Sequence, residues 1–387
     1  MREMGAIRLL QELVRIPSVN PALPGGTGEA EMGQYVAAFW ARLGLPYAVH
    51  PVAAGRDNVI GMLRQDDRLP TLLLEAHMDT VQTEGMTIAP YGAECREGRL
   101  YGRGACDTKA SLAAMLGAVE RLRLSGEHLP VNVHVAAVVD EEVHYRGVLD
   151  LARRIREGEL AYTAAIVGEP TGLDIVAAHK GVIRFYIEAG GIAGHSSEPE
   201  KASNAIEQMT SVIRHMSEEA VRLRQRDRHP LVGLPTCCIT EIHGGRAPNV
   251  IPDNCRITID RRTVPGEEPM EVWTEIREQL LALAERTPGL QLSVSEPFIL
   301  DYAMETAADH PLARQLAQAA WRGAERGRVI GAPYCSDASK LTRVGVPTVV
   351  FGPGSIAQAH TADEWVDLEQ VAQAEAILMD VIRNWQA

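Results

Sequence analysis

Three short, largely apolar runs in this chain each stop at side chains that can carry chemistry. Residues 71–76 (TLLLEA) lead into His77. Residues 131–139 lead into three acids, Asp140, Glu141 and Glu142. Residues 164–167 (AAIV) lead into Gly168 and Glu169. Continuous apolar runs of this length suit strands buried on both faces, and such strands belong to parallel sheets covered by helices. Between the first two, residues 109–124 place Leu112, Met115, Leu116, Val119 and Leu122 at helical spacing. This alternation predicts an α/β fold with a mostly parallel sheet. In open sheets of that kind, functional side chains gather beyond the strand ends.

The grammar changes between about residues 175 and 298. A strand (182–189), a helix (205–224), two strands (237–242 and 255–261), a helix (270–286) and a strand (290–295) follow in turn. The order β-α-β-β-α-β is the split βαβ, or ferredoxin-like, unit. Helix and strand alternation then resumes at 312–324, 347–351 and 368–385. The predicted organisation is one α/β domain, residues 1–176 and 297–387, interrupted by an inserted α+β domain, residues 177–296.

Composition excludes some roles. The 387 residues carry 38 basic and 51 acidic side chains, a formal net charge of −13, with no basic run. That argues against non-specific nucleic-acid binding, and an anionic substrate would need locally placed positive charge. The cysteines at 95, 106, 237, 238, 255 and 335 show no paired metal spacing and read as reduced thiols of a cytoplasmic protein. The N-terminal stretch keeps charges among its apolar residues, with Ile7, Leu10 and Val14 on one helical face before Pro17. It reads as an amphipathic helix rather than a signal peptide. No apolar run approaches the roughly 20 residues of a membrane span.

Five motifs carry the candidate chemistry. In HMD, His77 is a potential metal ligand, and Asp79 lies on the same side of an extended chain, where it could hold the second ring nitrogen. Taken alone, HxD fits a strand-end histidine that simply meets solvent better than it fits a ligand. In GRGACDTK the two glycines permit a tight turn, and Asp107 either bridges two cations or caps the following helix. In DEE, three acids beyond a buried strand are costly unless positive charge sits there. Glu142 would coordinate a metal and Glu141 would act as a base, or the run is a solvated loop. GEPT places Glu169 after a strand, and AHTADE places His360 after the loop GPGSIAQ. The joint occurrence of these residue types at strand–loop boundaries suits zinc or a similar divalent ion.

In this order and at these intervals, the motifs resemble those of the M20 metallopeptidase family over essentially the whole chain. The segments AHKG (178–181), GHSSEPEKASNAIE (194–207), IHGGRAPNVIPD (242–253) and QAHTADEW are most similar to its acetylornithine deacetylase branch. The resemblance implies two zinc ions, with Co2+ or Mn2+ as substitutes. Asp107 would bridge them, His77 and Glu169 would complete one site, and Glu142 and His360 the other. It implies Glu141 as general base and then acid, Asp79 as the partner of His77, and a cis peptide after Asp107. The inserted domain would be a lid and a homodimerisation domain. His195, on this resemblance, reaches the partner subunit's site and stabilises an oxyanion, although a lone GHSS also fits a helix-entry histidine. Asn249 and Arg261 match substrate-holding positions. The segment APYCSDASKL (332–341) departs from the family versions, and Asp337 within it either reads a cationic substrate group or caps a helix.

The implied activity is hydrolysis of the amide of a small N-acyl amino acid, acetylornithine-like. A desuccinylase, a deformylase, or a dipeptidase or carboxypeptidase of the same family is the nearest alternative, and a non-catalytic binding protein on this fold the remote one. Neither nucleic acid nor membrane is an expected partner.

Overall fold

The register of three adjacent strands brings the chemical side chains to one level. In the computed structural model, which describes residues 5–386, Thr71–His77 lies between Asn132–Val138 and Ala164–Val167 and runs parallel to both. His77 pairs with Val138, and Glu75 with Val167. The chain therefore leaves all three strands at the same end, toward His77, Glu141–Glu142 and Glu169. Thr348–Val350 extends the parallel set beyond Ala164–Val167. All seven residues of Asn132–Val138 are buried, as a strand covered on both faces requires.

The opposite edge is antiparallel. Arg56–Leu63 pairs with Asn132–Val138, and Tyr47–Ala53 pairs with Arg56–Leu63. The sequence reading did not anticipate this hairpin, because Tyr47–Ala53 alternates exposed and half-buried positions at a sheet edge and carries no continuous apolar run. The mostly parallel centre with an antiparallel edge is the expected α/β class.

The helix Lys109–Ser125 is buried around most of its circumference, from Lys109 to Val119 and again at Leu122. Ala6–Val14 and Leu368–Arg383 pack on it. In Ala6–Val14, Leu10 and Val14 are buried and Ile7 is half-buried, as the amphipathic pattern predicts, with the helix ending before Pro17. Residues 1–4 of that N-terminal stretch lie outside the described residues.

The described chain divides into two compact units. One contains the residues up to Ala177, Glu305–Ile330 and the residues from Ser336 onward; the other contains Ala178–Met304 and Gly331–Cys335. The second unit is built on an antiparallel sheet in the order Thr236–Gly244, Asn254–Thr263, Gly181–Gly190, Gln291–Val294, with Ile299–Asp301 also on Gly181–Gly190. Numbered along the chain, the first four follow the order 2-3-1-4, which is the ferredoxin-like arrangement. Gly181–Gly190 shows why. Ile183, Phe185, Ile187 and Ala189 alternate inward and pack with Met209, Val212 and Met216 of Ala205–Leu223 and with Trp273, Ile276 and Leu280 of Pro269–Arg286. Asn204 caps the first of these helices by accepting from the amides of Ile206 and Glu207. Among the described residues, no helix is long and apolar enough to cross a membrane.

Candidate metal centre

Two of the ligand candidates, Glu169 and Asp107, are delivered by local devices. Gly168, between the strand and Glu169, has no room for a side chain: a Cβ there would lie 2.6 Å from Ser111 Cβ and 2.9 Å from Met115 Cε. The hydroxyl of Thr108 donates to the carbonyl of Gly168 at 2.7 Å. Glu169 and Asp107 are thereby held by neighbouring pieces of backbone. The Gly102–Asp107 turn uses Gly104 at φ +81, a conformation costly for other residues. The Asp107–Thr108 peptide is cis.

Around Asp107 the geometry converges. Its Oδ1 lies 3.1 Å from His77 Nε2, and its Oδ2 lies 3.2 Å from His360 Nε2. One carboxylate thus offers a different oxygen to each histidine. Glu169 Oε1 lies 3.8 Å from His77 Nε2, and Glu142 Oε2 lies 3.2 Å from His360 Nε2. His77, Glu141 and Glu169 present ligand atoms within 4.8 Å of one another, and so do His77, Asp107 and Glu142. The helix after Asp107 begins at Lys109 and takes Thr108 as its N-cap, so Asp107 is not the capping residue.

Electrostatics make this cluster a candidate cation site. Burial, reinforced by Asp107, pushes Glu142 up to about 7 and Glu169 well above the usual carboxylate range. Burial also raises Glu141 well above that range, helped by Asp337, Glu142 and Asp107 and opposed by His77. Asp107 goes the other way: burial works against its charge, but hydrogen bonds from His360 and His77 hold it below its ordinary value. His360 is raised to about 10 by hydrogen bonds to Asp107 and Glu142. Four carboxylates crowded with two imidazoles cannot all ionise cheaply by themselves, whereas divalent cations compensate that charge. The donor set of nitrogen and carboxylate oxygen fits such ions.

Asp79 lies against His77 and also reaches the acidic turn. His77 Nδ1 lies 3.0 Å from the backbone carbonyl of Asp79 and 3.6 Å from its carboxylate. The carboxylate also accepts from the amides of Glu141 (3.0 Å) and Glu142 (3.1 Å) and from the Asn20 side chain (2.7 Å). It therefore ties the DEE turn to the end of the His77 strand.

Sequence reasoning missed Glu364. Its fully buried carboxylate accepts from Arg103 Nη1 at 2.6 Å, Gly104 N at 3.1 Å, Cys106 N at 2.8 Å and Asp107 N at 3.0 Å. The only hint was an acid four residues after His360 in a stretch otherwise read as loop.

The remaining candidates are Asp337 in the first unit and three residues of the second. Asp337 is 1% exposed and precedes the helix Ala338–Arg343 without capping it through its side chain. Burial and the neighbouring Glu75 raise it well above the carboxylate range, while Lys340 opposes them. His195, Asn249 and Arg261 belong to the second unit. His195 is exposed, with Nδ1 accepting from the amide of Ser197 at 3.2 Å and lying 2.7 Å from its hydroxyl. Asn249 is exposed and accepts from Ser196 N through its backbone carbonyl. Arg261 is 2% exposed and paired with Glu267 at 2.6 Å, while Arg262 on the other face of the strand pairs with Asp260 at 2.8 Å.

The model of peptidase family M20/M25/M40 matches residues 73–384. The acetylornithine deacetylase of Photorhabdus laumondii is 30% identical over 98% of this chain and 97% of its own length. That of Proteus mirabilis is 31% identical over 98% and 96%. Among solved structures, the aminopeptidase PepT of Bacillus cereus superposes with a TM-score of 0.80 at 22% identity, covering 98% of this chain and 97% of that one. An M20 family metallo-carboxypeptidase of Sulfolobus solfataricus gives 0.78 at 19% identity, covering 99% of both. A Bacillus subtilis protein described as a dinuclear metal-binding peptidase of the same family gives 0.70 at 18% identity, covering 97% and 96%. The chain belongs to peptidase family M20/M25/M40 and is a metal-dependent hydrolase.

Proposed function

We propose that this protein removes a small acyl group from an N-acyl amino acid, acetylornithine-like, using two divalent ions, zinc in the first instance. The observation that carries the two-ion reading is Asp107, whose two oxygens face two different histidines. His77 and Glu169 would hold one ion, Glu142 and His360 the other, with Asp107 between them. Bound there, the ions supply the Lewis acidity that activates water and polarises a carbonyl.

The chain's own groups do the rest. Glu141 lies within the ligand cluster, where its carboxylate could take a proton and then return it. It would accept the proton of the attacking water and deliver it to the departing nitrogen. His195 accepts at Nδ1 from a fixed backbone donor, which puts the imidazole hydrogen on Nε2. That ring therefore presents a donor suited to an oxyanion, a role commonly worth about 3 kcal/mol in the barrier. Asn249, Arg261 and Asp337 stand in this reading as substrate-side residues; the buried pairing of Arg261 with Glu267 makes it an indirect contributor.

Support for the deacylase branch comes from the roughly 30% identical relatives named acetylornithine deacetylase. Support for a homodimer comes from the second unit. Thr236–Gly244 is an edge strand, and Ile242 on it is 54% exposed. Six unpaired cysteines support a cytoplasmic setting.

The test is a panel of N-acetylornithine, N-succinyl-diaminopimelate, N-formyl and other N-acyl amino acids, and dipeptides. It is run with metal-loaded protein beside a chelated control. Chelator-sensitive turnover of N-acetylornithine above the others is the expected result. Turnover confined to dipeptides would replace the deacylase reading with a peptidase one.

A further inference from the structure

A hydrogen-bond network behind the acidic turn ends on one amide side chain, Asn20. It lies in the Pro- and Gly-rich segment IPSVNPALPGG, which no motif reading singled out. The Asn20 side chain is fully buried. Its Nδ2 donates to Asp79 Oδ2 at 2.7 Å and to Asp140 Oδ1 at 2.8 Å, and its Oδ1 accepts from Ala22 N at 3.1 Å. Both carboxylates it joins are themselves 0% exposed. Its backbone is fixed as well, with Asn20 N donating to Thr80 O at 2.9 Å.

Both carboxylates control where Glu141 and Glu142 sit. Asp79 holds the amides of Glu141 and Glu142. Asp140 immediately precedes them and adopts φ +68, a left-handed conformation that aspartate tolerates better than most residues and that its partners hold in place here. Those partners are Asn20, Arg56 Nη1 at 3.1 Å, and Glu29, which accepts from Asp140 N at 3.1 Å. Arg56 in turn forms a two-pronged pair with Glu29, through Nε at 2.7 Å and through Nη2. His144 Nδ1 also lies 3.4 Å from Asp140 Oδ1, and Arg146 Nε lies 3.3 Å from Asp140 Oδ2.

An amide is the group this position requires. Two buried carboxylates face it, so it must supply two N–H donors at once, which Asn does and Asp, Ser or an apolar residue cannot. An acid here would place a third negative charge between Asp79 and Asp140.

We infer that Asn20 is a positioning residue for the metal centre, acting through Asp79 and Asp140 on the turn that carries Glu141 and Glu142. It touches none of the proposed ligands. The inference rests on the two-ion reading above and extends it to a residue outside the ligand set. Groups that hydrogen-bond a metal ligand directly commonly cost about 10–100-fold in metal affinity or activity when removed, and Asn20, one contact further out, should fall near the lower end.

The experiment compares wild type with Asn20→Leu, which has similar volume and no donors, and Asn20→Ser, a gentler change should the first fail to fold. Three quantities are read on folded protein: the affinity for Zn2+ by competition with a chromophoric chelator, the absorption spectrum with Co2+, and kcat and KM separately. The expected result is metal affinity weaker by about tenfold or more, a changed Co2+ spectrum, and kcat reduced with KM within about twofold. Asn20→Ser should fall in the same direction, since it reaches only one carboxylate. A lowered melting temperature with wild-type Zn2+ affinity, Co2+ spectrum and kcat would overturn the inference and leave Asn20 a purely structural residue. Wild-type protein that takes up no divalent metal would overturn the two-ion reading beneath it, an outcome visible before any variant is made.

Discussion

Replacing Glu364 by Gln should loosen the metal centre and destabilise the fold while changing the shape of one side chain very little. The carboxylate uses both oxygens: Oε2 accepts from Arg103 and Gly104 N, and Oε1 accepts from Cys106 N and Asp107 N. A glutamine keeps one oxygen and turns the other into an NH2 group. Whichever way it rotates, that NH2 meets two donors, so two of the four bonds are lost. Hydrogen bonds to a charged group are each worth about 1.5–3 kcal/mol. Arg103, itself only 3% exposed, also loses its ion partner at 2.6 Å. Breaking a buried pair costs about 3–5 kcal/mol. These contributions overlap, because Arg103 keeps the carbonyl of Gln82 at 3.0 Å. The expected loss is therefore about 3–5 kcal/mol in all, not their sum. The amide oxygen is best kept on the Arg103 side, where it meets a charged donor, which leaves the NH2 facing Cys106 N and Asp107 N, so Zn2+ affinity should fall together with stability. The assay is urea unfolding of the apo protein followed by Zn2+ competition on the folded fraction. A loss below about 1 kcal/mol with unchanged Zn2+ affinity would refute the claim that Glu364 sets the Asp107 turn.

Other outcomes follow from the same geometry. Gly168→Ala forces a Cβ to within 2.6 Å of Ser111 Cβ and should cost about 1–3 kcal/mol by overpacking, with weaker metal binding through Glu169; calorimetry of apo and metal-loaded protein reads both. Mixing inactive His195→Ala and Glu141→Ala homodimers should restore activity on subunit exchange if His195 serves the partner's site, and mixing without any recovery would place its action within one chain. His134 is pushed from 6.5 down to about 4 by burial and by Arg64. Its folded-state pKa is depressed, so the unfolded chain binds the extra proton as pH falls through 6.5. Stability therefore drops between about pH 6.5 and 4, by about 3 kcal/mol from this residue alone. His134→Gln should flatten that slope in urea titrations, and an unchanged slope would assign the acid sensitivity to other groups.

How much was legible in the sequence depended on whether a residue acts locally. His77, Asp107, Glu142, Glu169 and His360 could be singled out because each lies in a short motif, and most of them adjoin an apolar strand whose burial follows from composition. The ferredoxin-like order was readable because alternation in Gly181–Gly190 and helical spacing in Ala205–Leu223 are local patterns. Glu364 and Asn20 were not readable. Each acts on backbone or carboxylates far away along the chain: Glu364 reaches Asp107 across 257 positions, and Asn20 reaches Asp140 across 120. No periodicity encodes such pairings. For Asp79 the spacing was informative, but it could not tell that the carbonyl would face His77 and the carboxylate the amides of Glu141 and Glu142. Arg261 and Arg262 were indistinguishable as neighbours, and strand pleating sends one inward to Glu267 and the other to Asp260.

The central claim is that Glu141 moves the proton while His77, Asp107, Glu142, Glu169 and His360 hold two ions. The most direct measurement is metal content beside turnover for Glu141→Ala. The account predicts two divalent ions per chain in both wild type and variant, with N-acetylornithine hydrolysis reduced by about a hundredfold or more in the variant, in line with a lost general base. A variant that keeps near-normal turnover, or a wild type that binds fewer than two ions at full activity, would contradict it.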